Sequence, residues 1–252
     1  MTEKLYRNIE KHITSQIKFW SEQNKDLDSR GLKSAAPSRS TERDVVLPFV
    51  TVSREYGCGG YEVAERLATL LNEDYYKRDL WVAYDRKVLE TIMKDMGLSH
   101  QLAETMTLTA RKTMTNFFQT TFSKFPPQVA VYKKLTETVM TIASNGYGII
   151  VGRAGNAITR DMECGFHVRL VASMEWKINR ISELMNLKKK DAEALILEKS
   201  RQRDEFLREF VRFDNSDVLN YHLVINNARY NSEEAAAIIA KGMLSKGLVK
   251  AK

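Results

Sequence analysis

Cysteine and proline are both scarce in this chain of 252 residues, and each scarcity excludes something. Two cysteines, Cys58 and Cys164, provide neither a disulfide framework nor a paired metal motif, which predicts a reducing, cytoplasmic setting. Four prolines, none beyond Pro127, leave the C-terminal half free to form uninterrupted helices. No apolar run reaches the roughly 18 residues of a transmembrane helix. The opening M-T-E-K-L-Y-R-N-I-E-K lacks the apolar stretch of a secretory signal. The four histidines, His12, His100, His167 and His222, show no metal-ligand spacing, and no repeat of fixed period is present. Acidic residues are the minority charge, 32 Asp+Glu against 39 Lys+Arg, leaving +7. That sign favours phosphates and nucleotides as partners. The excess is scattered, however, and its densest cluster, Lys188 to Lys190, falls between two helical segments. Charge therefore does not point to nucleic acid.

What remains is ordinary globular material. Hydrophobic residues make up 43% and charged residues 28%, and mean hydropathy is -0.38. These values support a core and argue against disorder. Leu5, Ile9, Ile13, Ile17 and Trp20 recur at helical spacing over residues 1–20, and residues 21–44 have the polar, Ser-rich composition of a linker. The main domain is expected over 45–252. The unpartnered apolar stripe of residues 1–20 suggests docking on another protein or on a second copy.

From Val45 onward, strand and helix patterns alternate. Strands are predicted at 45–52, 148–152, 166–172 and 221–226, with Pro48 marking the edge or the start of the first. Helices are predicted at 61–73, along a long stretch after Asp79, over 98–123, from Pro126-Pro127 to Asn145-Gly146, over 174–185 and over 190–212. Asn231 with Glu234 forms a capping box for a last helix. Apolar strands separated by helices mean a parallel sheet covered on both faces, so the fold class is three-layer α/β.

One glycine-rich turn joins a strand to a helix: S-R-E-Y-G-C-G-G-Y-E, residues 53–62. Gly57, Gly59 and Gly60 allow successive N–H groups to point inward, and the following helix adds its positive end, giving an anion nest of phosphate size. A full P-loop reads G-x-x-x-x-G-K-[ST]. Here Arg54 stands at the first glycine position, Gly60 at the lysine and Tyr61 at the Ser/Thr. A plain strand–helix turn that merely needs glycine is the competing reading.

The stretch S-R-E-Y-G-C-G-G-Y-E-V-A-E-R-L-A resembles the opening of the cytidylate kinase-like family, a branch of the P-loop nucleoside monophosphate kinases. Three further stretches match in order: residues 149–161 (I-I-V-G-R-A-G-N-A-I-T-R-D), 167–172 (H-V-R-L-V-A) and 201–226 (from R-Q-R-D-E-F to H-L-V-I-N). The resemblance spans about 45–240. It implies a P-loop NTPase-like sheet with a helical lid, ATP with Mg²⁺ as donor, and a small phosphorylated or nucleoside acceptor, by default cytidine monophosphate. Ser53, Arg54, Glu55, Tyr56, Gly57, Cys58, Gly59, Gly60, Tyr61 and Glu62 would hold the nucleotide. Arg153 would grip a phosphate, and Arg201, Arg203 and Arg208 would arrive on the lid, with Arg201, Arg208 and Arg212 sharing a face.

Each assignment has a plainer alternative. Arg153 could cap a helix, and the lid arginines could form i,i+4 pairs such as Arg201–Glu205. Arg160-Asp161 reads equally as a surface ion pair, and Arg169 as a residue reaching solvent at the sheet's end. Cys58 is either a thiol activated at a helix N-terminus or a small side chain in a tight turn. The methionines and phenylalanines of 93–125 either line a base pocket or pack a helical insert. The family's usual arginine after the double glycine is Tyr61 here, so the turn carries no cation at 60 or 61. A catalytically weak or inactive nucleotide-binding or partner-binding module on the same fold is the alternative function.

Overall fold

A computed structural model describes residues 13–22, 47–76, 80–105, 114–116, 119, 130–211 and 213–250. Residues 13–22 form α1. The chain continues through β1 (Phe49–Arg54), α2 (Gly60–Leu70) and β2 (Val82–Tyr84), then α3 (Arg86–Lys94), α4 (Met96–Glu104) and α5 (Ala130–Asn145). After these come β3 (Gly148–Val151), the single turn α6 (Gly155–Ile158), β4 (Gly165–Val171), α7 (Met174–Met185) and α8 (Lys189–Phe206). β5 (Leu223–Asn226) and α9 (Ser232–Ser245) complete the domain.

The five strands form one parallel sheet in the order β2-β3-β1-β4-β5. β1 is its centre: Val50 lies opposite Ile149 of β3 and Phe166 of β4. Pro48 therefore marks a strand start, not an edge, because it precedes the ladder. The β-branched run of β1 alternates between two apolar layers. Phe49 packs with Val88, Leu89, Ile92, Val139 and Ile142 on one face, while Val50 and Val52 pack with Val63, Leu67, Ile239 and Met243 on the other. This is the predicted three-layer α/β arrangement.

Several boundaries follow the predicted signals. Asn145 ends α5, and Gly146 takes φ +77 with Leu47 so close that a Cβ would meet it at 2.9 Å. Only glycine fits that stop. The Asn231–Glu234 capping box of α9 is present in both directions.

Two expectations need correction. The stretch after Asp79 is not continuous helix, because W-V-A-Y first makes the short strand β2 beside β3. Three residues of strand carry too little period-2 signal to be separated from an adjoining helix. The described part of the α1 stripe faces this chain's own core, while Leu5 and Ile9 lie outside the described residues: Ile13, Ile17 and Trp20 are buried, and Gln16 donates to the carbonyls of Leu80 (2.8 Å) and Tyr147 (3.1 Å). Tyr84 donates from its hydroxyl to Gln16 Oε1. The domain boundary near Val45 and Arg212 fall outside the described residues. So does most of 106–129, although Met93 and Met114 pack against the core.

Candidate active site

The glycine turn leaves the C-terminal end of the central strand, where ligands of open α/β sheets bind. Gly57 (φ +93) and Gly59 (φ +66) take left-handed conformations, and Gly59 caps α2 without any side-chain hydrogen bond. The first-turn amides of α2 are thus left for an anion. From across the sheet, Asn227 Nδ2 donates to the Cys58 carbonyl at 2.7 Å and fixes the turn's outer side.

Helix α7 lies directly over this turn. Lys177 Nζ sits 2.6 Å from Glu55 Oε2, and Arg180 donates to the Gly57 carbonyl at 3.2 Å while pairing with Glu62. A Cβ on Gly59 would stand 3.0 Å from the Arg180 guanidinium. α7 packs on α8 through Ile181, Ala192 and Ile196, which makes the helical hairpin that the lid requires.

Beside the turn, beyond β1 and β3, opens a cavity of about 450 Å³. Ser53, Arg54 and Tyr56 line it from the first strand's end, and Arg153 and Asn156 from the third's. Arg86, Lys199, Gln202 and Arg203 close it from α3 and α8. Arg153 (φ +54) and Ala154 (φ +57) follow Gly152 (φ +71), three successive left-handed residues. Such backbone costs about 1–3 kcal/mol per non-glycine residue and is characteristic of functional turns. It aims Arg153 at Glu90, which also holds Arg86 at 2.8 Å. Those two guanidinia keep the Glu90 carboxyl below its ordinary range, Arg86 most strongly.

The electrostatics here are one-sided. Burial, reinforced by Arg203 and Arg153, pushes the Arg54 guanidinium down to about 9, and Asp85 offsets only part of this. Burial lowers Arg153 and Arg203 as well. Arg203 lies over the Tyr56 ring at 5.1 Å, and its buried Nη1 has no hydrogen-bond partner among the described residues. Asn156 accepts from Ser53 Oγ at 3.0 Å, and its own Nδ2 has no partner among the described residues. Buried donors with nothing to donate to, beside clustered guanidinia, fit an anion.

The sequence-predicted residues divide accordingly. Of residues 53–62, Ser53, Arg54 and Tyr56 line the cavity with Arg153, and Arg203 joins them from α8. Glu55 and Glu62 are held at the turn by Lys177 and Arg180, while Cys58 and Tyr61 pack into the apolar core. Arg201 instead pairs with Glu205 at 2.9 Å on the solvent face, and Arg208 is exposed. Neither lines the cavity. The inward stripe of α8 is Ala192, Ile196, Lys199, Arg203 and Phe206 or Leu207, set by the two buried apolar residues and not by the arginine spacing 201–208–212. Cys58 is fully buried and its thiol is pushed up to about 11 by burial, with Glu55 adding to it, so the activated-thiol reading is withdrawn. Arg160 pairs with Asp161 at 3.5 Å on the surface.

Arg169 does not reach solvent. It is buried, lies over the Tyr221 ring and comes within 4.0 Å of Glu55. Sequence reasoning missed Arg86, Asn156, Lys177, Arg180, Lys199 and Asn227 at the site. Lys177 and Arg180 share an α7 face at i,i+3, a signal that was legible. The others had none. Among the described residues no group of three or more His, Cys, Asp or Glu side chains is placed to hold a metal, and no helix is long and apolar enough to cross a membrane.

A five-stranded parallel sheet with the glycine turn at its central strand and a helical hairpin above it defines a three-layer α/β protein. The chain belongs to the cytidylate kinase-like family, which matches residues 49–229. Among solved structures, it is similar to an uncharacterized protein from Eubacterium ventriosum ATCC 27560. The match has TM-score 0.60 and 18% identity, and covers 79% of this chain and 99% of that one. A shikimate kinase from Bacteroides thetaiotaomicron matches at TM-score 0.43 and 13% identity, over 77% of this chain and 96% of that one. No curated protein matches.

Proposed function

We propose that this chain is a phosphotransferase that moves the γ-phosphoryl group of magnesium-bound ATP to a small phosphorylated acceptor, cytidine monophosphate being the family default. The glycine turn would receive the donor's phosphates and the arginine-lined cavity the acceptor's. One observation carries the reading: the polar groups turned into the 450 Å³ cavity include Arg54, Arg86, Arg153 and Arg203, and two buried donors there, Arg203 Nη1 and Asn156 Nδ2, have no partner among the described residues.

In the transfer, the bond between the γ-phosphorus and its bridging oxygen breaks, and ADP leaves with that electron pair. A new bond forms from an acceptor phosphate oxygen, already ionised near neutral pH, to the same phosphorus. No protein base is needed, and the protein's part is alignment and neutralisation of charge. Magnesium would arrive with the polyphosphate, the usual way this ion is held in kinase sites. The two free cysteines suit a reducing cytoplasm.

The test is coupled ADP release with ATP and a panel of nucleoside monophosphates. One acceptor should support turnover that falls about 10²-fold or more in Arg153→Ala. No turnover with any acceptor overturns the reading.

A second reading, a nucleotide-binding module without turnover, is favoured by one feature. Residue 60 is glycine, and Arg180 is engaged with Glu62 and the Gly57 carbonyl over the turn. ATP binding by calorimetry in the absence of any turnover would select it.

A further inference from the structure

The turn lacks a lysine at position 60, yet its space is occupied. The Arg54 side chain crosses Gly60 so closely that a Cβ there would stand 3.1 Å from Arg54 Cγ and 3.2 Å from Cδ. Its guanidinium then lies against Gly152, where a Cβ would fall 1.8 Å from Nη1. Two glycines from different elements, one opening α2 and one ending β3, thus flank this one side chain. A lysine at 60 would have to leave through the volume that the Arg54 stem fills. Beyond the guanidinium are Arg203 and Arg153, and among the described residues no hydrogen bond or ion pair neutralises Arg54. A half-buried charge with like-charged neighbours is unfavourable unless an anion arrives.

We infer that Arg54 is the phosphate-binding cation of this turn, moved from the seventh position of the loop to the first, and that Gly60 and Gly152 are glycine to let it through. The inference rests on the proposed phosphotransfer. It adds the residue that neutralises the transferred group and explains why the lysine position is a glycine. The lowered guanidinium pKa agrees with the geometry, because an anion placed there would restore the charged form.

The experiment uses the full chain and two readouts, calorimetric binding of inorganic tripolyphosphate and ADP release, together with thermal melting. Arg54→Met keeps the stem and removes the charge. It should bind tripolyphosphate at least about tenfold more weakly and turn over about 10²–10³-fold more slowly, while melting no lower than the wild type, because an uncompensated charge is gone. A purely structural arginine would give the opposite melting result. The double variant Arg54→Gly with Gly60→Lys returns the cation to the seventh position. It should recover at least about tenfold of the lost binding, which a repair of packing would not do.

Arg54→Met within about threefold of wild type in both readouts overturns the inference and leaves the proposed function standing. If Arg54→Met melts early, the double variant decides: recovered binding supports the inference and its absence overturns it. A wild-type chain that takes up neither ATP nor tripolyphosphate removes both readings together.

Discussion

Arg153 Nη2 meets Glu90 Oε1 at 2.5 Å, across a strained turn on one side and the second turn of α3 on the other. The same carboxylate holds Arg86. Glu90 therefore positions Arg153 and, on the proposed function, is the anion that competes with an incoming phosphate for it. Glu90→Gln should tighten binding of small phosphates by about threefold at low salt, the scale of a half-exposed pair. The gain should shrink as salt rises. Calorimetry with a nucleoside monophosphate at two ionic strengths checks this; weaker binding would show that positioning outweighs competition.

The lid arginines should separate cleanly. Arg203 reaches the cavity over Tyr56, whereas Arg201 faces solvent with Glu205. Arg203→Ala is expected to lower turnover about 10²-fold, and Arg201→Ala by no more than about twofold. Steady-state kinetics on the two variants, side by side, tests the orientation of α8.

Acid should weaken the fold through β4. His167 is buried with its Nδ1 2.8 Å from Thr51 Oγ1, and burial, helped by His222, pulls its pKa down to about 4. The backbone N–H of His167 donates to His222 Nδ1 at 3.0 Å, so His222 also needs an unprotonated nitrogen there. Unfolded His167 takes its proton near pH 6.5, well above the folded value. Stability is full above that pH and declines as pH falls towards 4, by about 2 kcal/mol for this residue between pH 7 and pH 5. Denaturant midpoints at those two pH values should converge in His167→Gln.

Helix α1 belongs to the core. Trp20 is 1% exposed, and Phe19 meets the Tyr147 ring edge-on at 5.8 Å. Trp20→Ala should cost about 3–5 kcal/mol in chemical denaturation. A loss below about 1 kcal/mol would mean that the helix is dispensable.

The two cysteines should differ in reactivity. Cys164 is half-buried, while Cys58 is fully buried with its thiol raised to about 11. A thiol reagent at neutral pH should label Cys164 in the folded chain and reach Cys58 only on unfolding. Mass mapping of the labelled peptides distinguishes them.

Much of the fold was legible in the chain itself. β-branched runs gave β1, β3 and β4 to within a few residues, and α7 appeared at its observed limits, because burial on both faces or on one stripe writes a strong local period. The glycine turn and Arg153 were legible for the same local reason: a motif is read from adjacent residues. β2 was lost because three residues cannot display a period. Which of the three named lid arginines turns inward was not legible, because two buried side chains, Ala192 and Ile196, set the rotation of α8, and arginine spacing does not reveal which face they occupy.

Sequence alone thus determined the layered α/β architecture, the glycine-rich bend after the central strand, and the absence of a lysine from that bend. Tertiary structure decided what fills the gap. Arg54 passes between Gly60 and Gly152, residues 92 positions apart in the chain that parallel pairing of β1 with β3 brings together. Which cations line the cavity depends on that strand pairing and on the rotation of α8, and neither is written in any local stretch of residues.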